Sequence, residues 1–146
     1  MNIRYFALIY GIVFLLVGIA GFIPPFLTPF EASDPELAVT ASSGLLFGLF
    51  PVNILHNLAH IAFGIWGIAV WRSLPRSRFY AQAVAVVYAV LMVMGFIPGL
   101  STTFGLIPLH SHAIWLHLVL AGVAAYFGFV ARPQETVARP AHEHTR

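Results

Sequence analysis

The residues best placed to do chemistry lie in one short run, Asn53-Ile54-Leu55-His56-Asn57-Leu58-Ala59-His60, and in one distant histidine, His117. On a helix, His56 and His60 stand four residues apart, so their imidazoles leave one face within reach of a single ion. His117, supplied by another helix, would complete a three-imidazole face suited to Zn²⁺, Cu²⁺ or Fe²⁺, with a position open for water or substrate. Asn53 and Asn57 share that face and could orient the rings through their second nitrogens. A different use is haem b, with His60 and His117 as axial ligands and Gly64 and Gly67 making room for the macrocycle. A third use needs no cofactor. Polar side chains also join helices to one another in apolar bundles, at about 0.6 kcal/mol each on average. No carboxylate lies near these residues to serve as a general base, which argues against a metalloprotease, and no residue is singled out as catalytic.

The elements that must position these residues are apolar. The chain of 146 residues is 60% hydrophobic and only 8% charged, whereas a water-facing domain carries about a quarter charged residues. Four apolar runs, at about 3–23, 52–71, 79–97 and 111–130, each rise roughly 30 Å as a helix, the thickness of a bilayer's hydrocarbon core. Only helices satisfy their own backbone there as open-ended segments. The sequence therefore predicts an all-α, four-transmembrane-helix bundle over residues 1–132 and a disordered polar cytoplasmic tail over 133–146. Pro24-Pro25 and Pro98-Gly99 close the first and third helices. Pro51 reads as a first-turn proline of the second, and Ser111 as the N-cap of the fourth. Gly18-Ile19-Ala20 behind Arg4 has the outline of a signal-peptide cleavage site. The apolar run continues past it, so a retained helix is expected.

All seven basic residues are Arg, and they sort by side. Arg4, then Arg72, Arg76 and Arg78, then Arg132, Arg139 and Arg146 fall at the termini and in the second connection. The first connection carries Glu31, Asp34 and Glu36 instead. The positive-inside rule then puts both termini in the cytoplasm of a multi-pass inner-membrane protein. Trp71 and Tyr80 are expected at the inner interface, Trp115 near the outer one. The first connection is long, and Asp34-Pro35 reads as the start of a short interfacial helix, or of a re-entrant segment, covering the outer end of the bundle. The basic residues do not cluster as a nucleic-acid face would require; the partner read from composition is the lipid bilayer, with a homo-oligomer or a larger membrane complex left open. The absence of Cys excludes thiolate ligands and disulfides.

Depth concentrates the polar residues. Counting 1.5 Å per residue from the outer ends, His56 lies about 6 Å in, His117 about 9 Å and His60 about 12 Å. His110 and His112 fall just above them, as peripheral candidates. Below the cluster the faces are small: Gly64 and Gly67 on the second helix, Ala121, Ala124 and Gly128 on the fourth. Gly11, Gly18 and Gly21 mark close-packing positions on the first. His142 and His144 in the tail are read as solvated.

The stretch Phe50-Pro51-Val52-Asn53-Ile54-Leu55-His56-Asn57-Leu58-Ala59-His60, with Gly64 and Gly67 following, resembles the hallmark of a bacterial family of small four-span membrane proteins, the domain of unknown function 4383. Leu116-His117-Leu118-Val119-Leu120 resembles that family's second motif. The resemblance covers nearly the whole chain except the tail. It implies a four-helix fold and importance for Asn53, His56, Asn57, His60 and His117, and it brings no activity with it. Where the family is expected to have Asn or Asp before the fourth helix, this chain has His110-Ser111-His112, so the resemblance lends those two histidines no weight. The functional expectation is an Asn/His cluster that serves as interhelical contacts or as a His-ligated metal site. The alternatives are a bis-His haem b electron carrier and an accessory subunit of a larger membrane complex.

Overall fold

The computed structural model describes residues 2–131. Four helices dominate it: α1 (Ile3–Ala20), α2 (Ile54–Val70), α3 (Leu74–Phe96) and α4 (His112–Ala125), the last running on into a π turn at Tyr126–Val130. Arg132 and the tail 133–146, with Arg139, His142, His144 and Arg146, lie outside the described residues.

The first connection departs from expectation. It contains no helix at Asp34-Pro35 and no re-entrant helix; it folds as a small three-stranded antiparallel sheet appended to an otherwise helical chain. Strands β1 (Leu27–Thr28), β2 (Gly44–Leu46) and β3 (Phe50–Val52) lie in the order β1-β2-β3, with Leu27 opposite Leu46 and Leu46 opposite Phe50. Asp34 caps no helix; its carboxylate accepts instead from the Glu31 N–H at 2.8 Å. Between β2 and β3 the chain turns through Phe47 (φ 53°) and Gly48 (φ 71°). Two consecutive left-handed residues produce the twist of a hairpin turn, at a strain cost for Phe47.

Helix limits shift for similarly local reasons. Pro51 belongs to β3, a sheet edge, where a missing N–H does no harm. The true N-cap of α2 is Asn53, whose Oδ1 accepts from the His56 N–H. Helix α3 starts at Leu74, five residues ahead of the apolar run, because Pro75 sits in its first turn and Ser77 Oγ donates back to the Val70 carbonyl. Ser111 stands at the N-cap position of α4 but makes no capping bond; its hydroxyl meets His112 Nδ1 at 3.2 Å. Tyr80 is not an interfacial anchor. It is fully buried, and its hydroxyl donates to the Phe63 carbonyl.

Two antiparallel pairs build the bundle: α1 lies along α2, and α3 along α4. The first pair meets backbone to backbone. A methyl group on Gly11 would sit 2.7 Å from the Ile68 N, one on Gly18 2.7 Å from the Asn57 carbonyl oxygen, and one on Gly64 2.6 Å from the Leu15 N. Between the pairs lies an aromatic core of Phe6, Phe14, Tyr80 and Tyr88, with Val84, Ala121, Ala124 and Phe127. Helices α1 and α4 touch at the arginine-bearing end, where Phe6 stacks on Phe127 at 4.9 Å and Tyr10 donates to the Leu120 carbonyl at 3.4 Å.

The outside of this bundle is apolar as well. Leu16, Ile65, Phe79, Val119 and Phe129 are all more than half exposed. A monomer in water rarely leaves so much of this surface contiguous. Three helical segments, Ile3–Ala20, Leu74–Phe96 and His112–Val130, are long and apolar enough to cross a membrane; α2, with 17 residues, is a shorter apolar helix.

The glycine contact generates a paired expectation. Gly64→Val should push α1 and α2 apart and cost about 1–3 kcal/mol, the usual range for overpacking. Gly122→Ala faces open space and should be neutral or slightly stabilising. Thermal unfolding of the two variants in detergent measures the difference, and equal midpoints would contradict the close contact.

Candidate functional site

The first turn of α2 is fastened on three sides. Asn53 Nδ2 donates to the Val39 carbonyl at 3.0 Å and to the Leu106 carbonyl at 2.6 Å, so one side chain ties both long connections to the helix it caps. Asn57 Nδ2 donates to the Gly21 carbonyl at 2.8 Å. That carbonyl lies at the C-cap of α1 and has no partner within its own helix. Both Asn side chains are fully buried. Their amide nitrogens act as bundle fasteners.

The histidines divide differently. His60 Nδ1 donates to the His56 carbonyl at 3.1 Å. In the neutral ring this leaves Nε2 as an acceptor, and it faces the Tyr88 hydroxyl at 3.4 Å. His60 is therefore satisfied at both nitrogens. His56 and His117 are not: each is buried, and each has an Nδ1 with no hydrogen-bond partner. The His56 and His60 ring centroids are 4.2 Å apart, and Tyr88 packs edge-on against both His60 and His117.

All three rings line the same two cavities. The larger, of about 240 Å³, is walled by Val13, Phe14 and Val17 of α1, by Ala113, Leu116 and Leu120 of α4, and by the hairpin from Leu46 to Val52. The smaller, of about 50 Å³, lies behind the rings against Phe63, Tyr88 and Leu109. Imidazole is thus the polar lining of otherwise apolar space. The hairpin does cover this end of the bundle, as the sequence suggested, although as a β-turn and not a helix. Tyr88 and Phe14 were missing from the sequence reading; a tyrosine in the middle of an apolar run was the signal for the first, while nothing marks Phe14 among thirteen phenylalanines.

His110 and His112 do not join the cluster. His112 is exposed. His110 Nδ1 lies 3.7 Å from an Asp34 oxygen, linking the third connection to the first, and Phe30 packs nearby at 6.1 Å between ring centroids.

The sequence profile described as "Domain of unknown function (DUF4383)" matches residues 4–130. The chain belongs to that family. No curated protein and no solved structure matches it. Within the matched region the segment 53–60 forms a structural unit: two asparagines that lock α2 to its neighbours, and two histidines that line a cavity.

Among the described residues of this DUF4383 chain, no three His, Cys, Asp or Glu side chains are grouped to hold a metal ion. His60 is held by the His56 carbonyl at Nδ1 and faces the Tyr88 hydroxyl at Nε2. Haem fares no better. The space beside Gly64 and Gly67 is filled by Leu15 and by the Ala7 carbonyl, and the Tyr88 ring touches both His60 and His117.

The His110–Asp34 contact yields a pH expectation. Burial pushes the His110 imidazole below its ordinary value of 6.5, and the Asp34 carboxylate only partly offsets this. The unfolded chain then binds the proton more readily, so stability is full above about pH 6.5 and falls as pH drops below it. Thermal unfolding at pH 7.5 and pH 5 should show wild type losing more stability than His110→Gln. Parallel losses would contradict the assignment.

Proposed function

We propose that this protein crosses the bilayer four times with both termini in the cytoplasm, in the inner membrane of a bacterium, and that its outer end binds a small, neutral, lipid-soluble molecule. Three helices of sufficient length support the spans. The 17 residues of α2 rise about 26 Å, the short end of the spanning range. The orientation rests on charge: Arg4, Arg72, Arg76 and Arg78 fall at one end of the bundle, and Glu31, Asp34 and Glu36 at the other.

The observation that carries the binding reading is that two buried imidazoles, His56 and His117, line an apolar cavity while neither ring has a hydrogen-bond partner at Nδ1. Buried polar groups are almost always paired. Among the described residues five buried side chains have an unpartnered atom, and of these only His56 and His117 line this cavity, which makes them the groups a ligand there would meet. Binding, not catalysis, follows from the surroundings. No acid, base pair or nucleophile accompanies the rings, and Asn53 and Asn57 are committed to the backbone.

Single-cysteine variants test both halves, since the natural chain has none. A charged, membrane-impermeant maleimide should label Ser33→Cys in intact cells and Arg76→Cys only after permeabilisation. His117→Cys should resist that reagent from either side and react with lipid-soluble N-pyrenylmaleimide. Labelling of Arg76→Cys in intact cells would reverse the orientation; labelling of His117→Cys by the charged reagent would make the cavity a water-filled one.

A further inference from the structure

The mouth and walls of the larger cavity narrow the ligand class, on the reading that the cavity binds a lipid-soluble molecule. The ring stacking and the hydrogen bond that join α1 to α4 and its π turn lie toward the arginine-bearing half of the bundle, at Phe6, Tyr10, Leu120 and Phe127. In the other half Val13 and Leu116, which line the cavity, are 45% and 37% exposed on the bundle's flank. The opening is therefore lateral, between α1 and α4, under the hairpin tip at Phe47. A ligand entering there comes from the acyl region of the outer leaflet, and a chain attached to it can stay outside in lipid.

The volume sets the size of the part that enters. An apolar cavity of about 150 Å³ accommodates benzene; about 240 Å³ accommodates a six-membered ring with a few substituents, and not a whole lipid. Phe14, Phe47 and Phe50 supply flat walls. Charge excludes two other classes. No Arg side chain lines the cavity to meet a phosphate or carboxylate, and no acidic residue lines it to meet an amine. A neutral imidazole offers one donor and one acceptor, which suits a group able to be either carbonyl or hydroxyl. We infer that the cavity takes the head of a neutral, oxygen-bearing ring on a lipid tail, a quinone or its quinol, with His56 and His117 bonding to the ring oxygens.

The test uses the full chain, with ¹³C-labelled histidine, in phosphatidylcholine nanodiscs. Imidazole NMR signals are followed during titration with decylubiquinone, and separately with decane, 1-decanol, decanoic acid and zinc chloride. The expected result is a saturable shift of the His56 and His117 signals with the quinone, none with decane, and none at His112. Val13→Trp narrows the mouth at an exposed position without touching the rings, and should raise the half-saturating quinone concentration at least ten-fold. Equal shifts with decane, or an unchanged midpoint in Val13→Trp, would overturn the inference. If 1-decanol or decanoic acid shifts the two rings and the quinone does not, the ring class is wrong and the binding cavity stands. A zinc response confined to the three histidines would replace the organic ligand with a metal. Silence toward every probe would remove the cavity reading as well.

Discussion

Everything at the histidine end depends on how closely α1 and α2 approach. Their backbones approach at Gly11 and Gly18 on one side and Gly64 and Gly67 on the other, while Gly21 leaves room for the Asn57 side chain. Such an approach fixes rotation as well as distance. It brings the Asn57 amide onto the Gly21 carbonyl, and it allows His56 and His60, one helical turn apart, to face away from α1's backbone toward α4. A wider spacing would free α2 to rotate, and a rotation of one residue, about 100°, would carry the imidazoles off the cavity.

The same contact explains why the bundle is uneven. Tight pairing of α1 with α2, and of α3 with α4, leaves the α1–α4 seam to be closed by side chains. Aromatic rings close it in one half, through Phe6, Tyr10 and Phe127; in the other half the seam stays open beneath the β2–β3 hairpin. Around the cavity the polar groups differ. The amide nitrogens of Asn53 and Asn57 and both nitrogens of His60 have partners, whereas Nδ1 of His56 and of His117 has none, as is also true of Asn57 Oδ1 in the tight α1–α2 contact. In an apolar chain a buried polar atom without a partner costs about 1–3 kcal/mol, so its position is informative in a way that a further buried leucine is not.

Much of the helical frame was legible in the sequence because apolar run length and proline punctuation are local signals. The face carrying Asn53, His56, Asn57, His60, Gly64 and Gly67 was legible for the same reason: helical periodicity puts those residues together whatever surrounds them. The glycines of α1 were correctly read as contact positions. The sheet in the first connection was not legible, since strands of two or three residues have too little periodicity to register, and Asp34-Pro35 looks locally like a helix start until its carboxylate is seen bonded to Glu31. Nor could the sequence separate the roles within the cluster. That His60 is satisfied by His56 and Tyr88, while His117 is not, depends on contacts among three helices. The three-imidazole metal face follows from residue types alone, and no such grouping is found among the described residues.

A cavity that opens to lipid requires the His56 and His117 rings to sit beside acyl chains and apart from water. Solid-state NMR of the wild-type protein in bilayers can measure this directly, by following magnetisation transfer to ¹⁵N-labelled imidazoles from lipid acyl protons and from water protons. The account predicts transfer from acyl protons to His117 and His56, and water transfer far slower than at the exposed His112. Water transfer to the buried rings as fast as to His112, with none from the acyl chains, would contradict it.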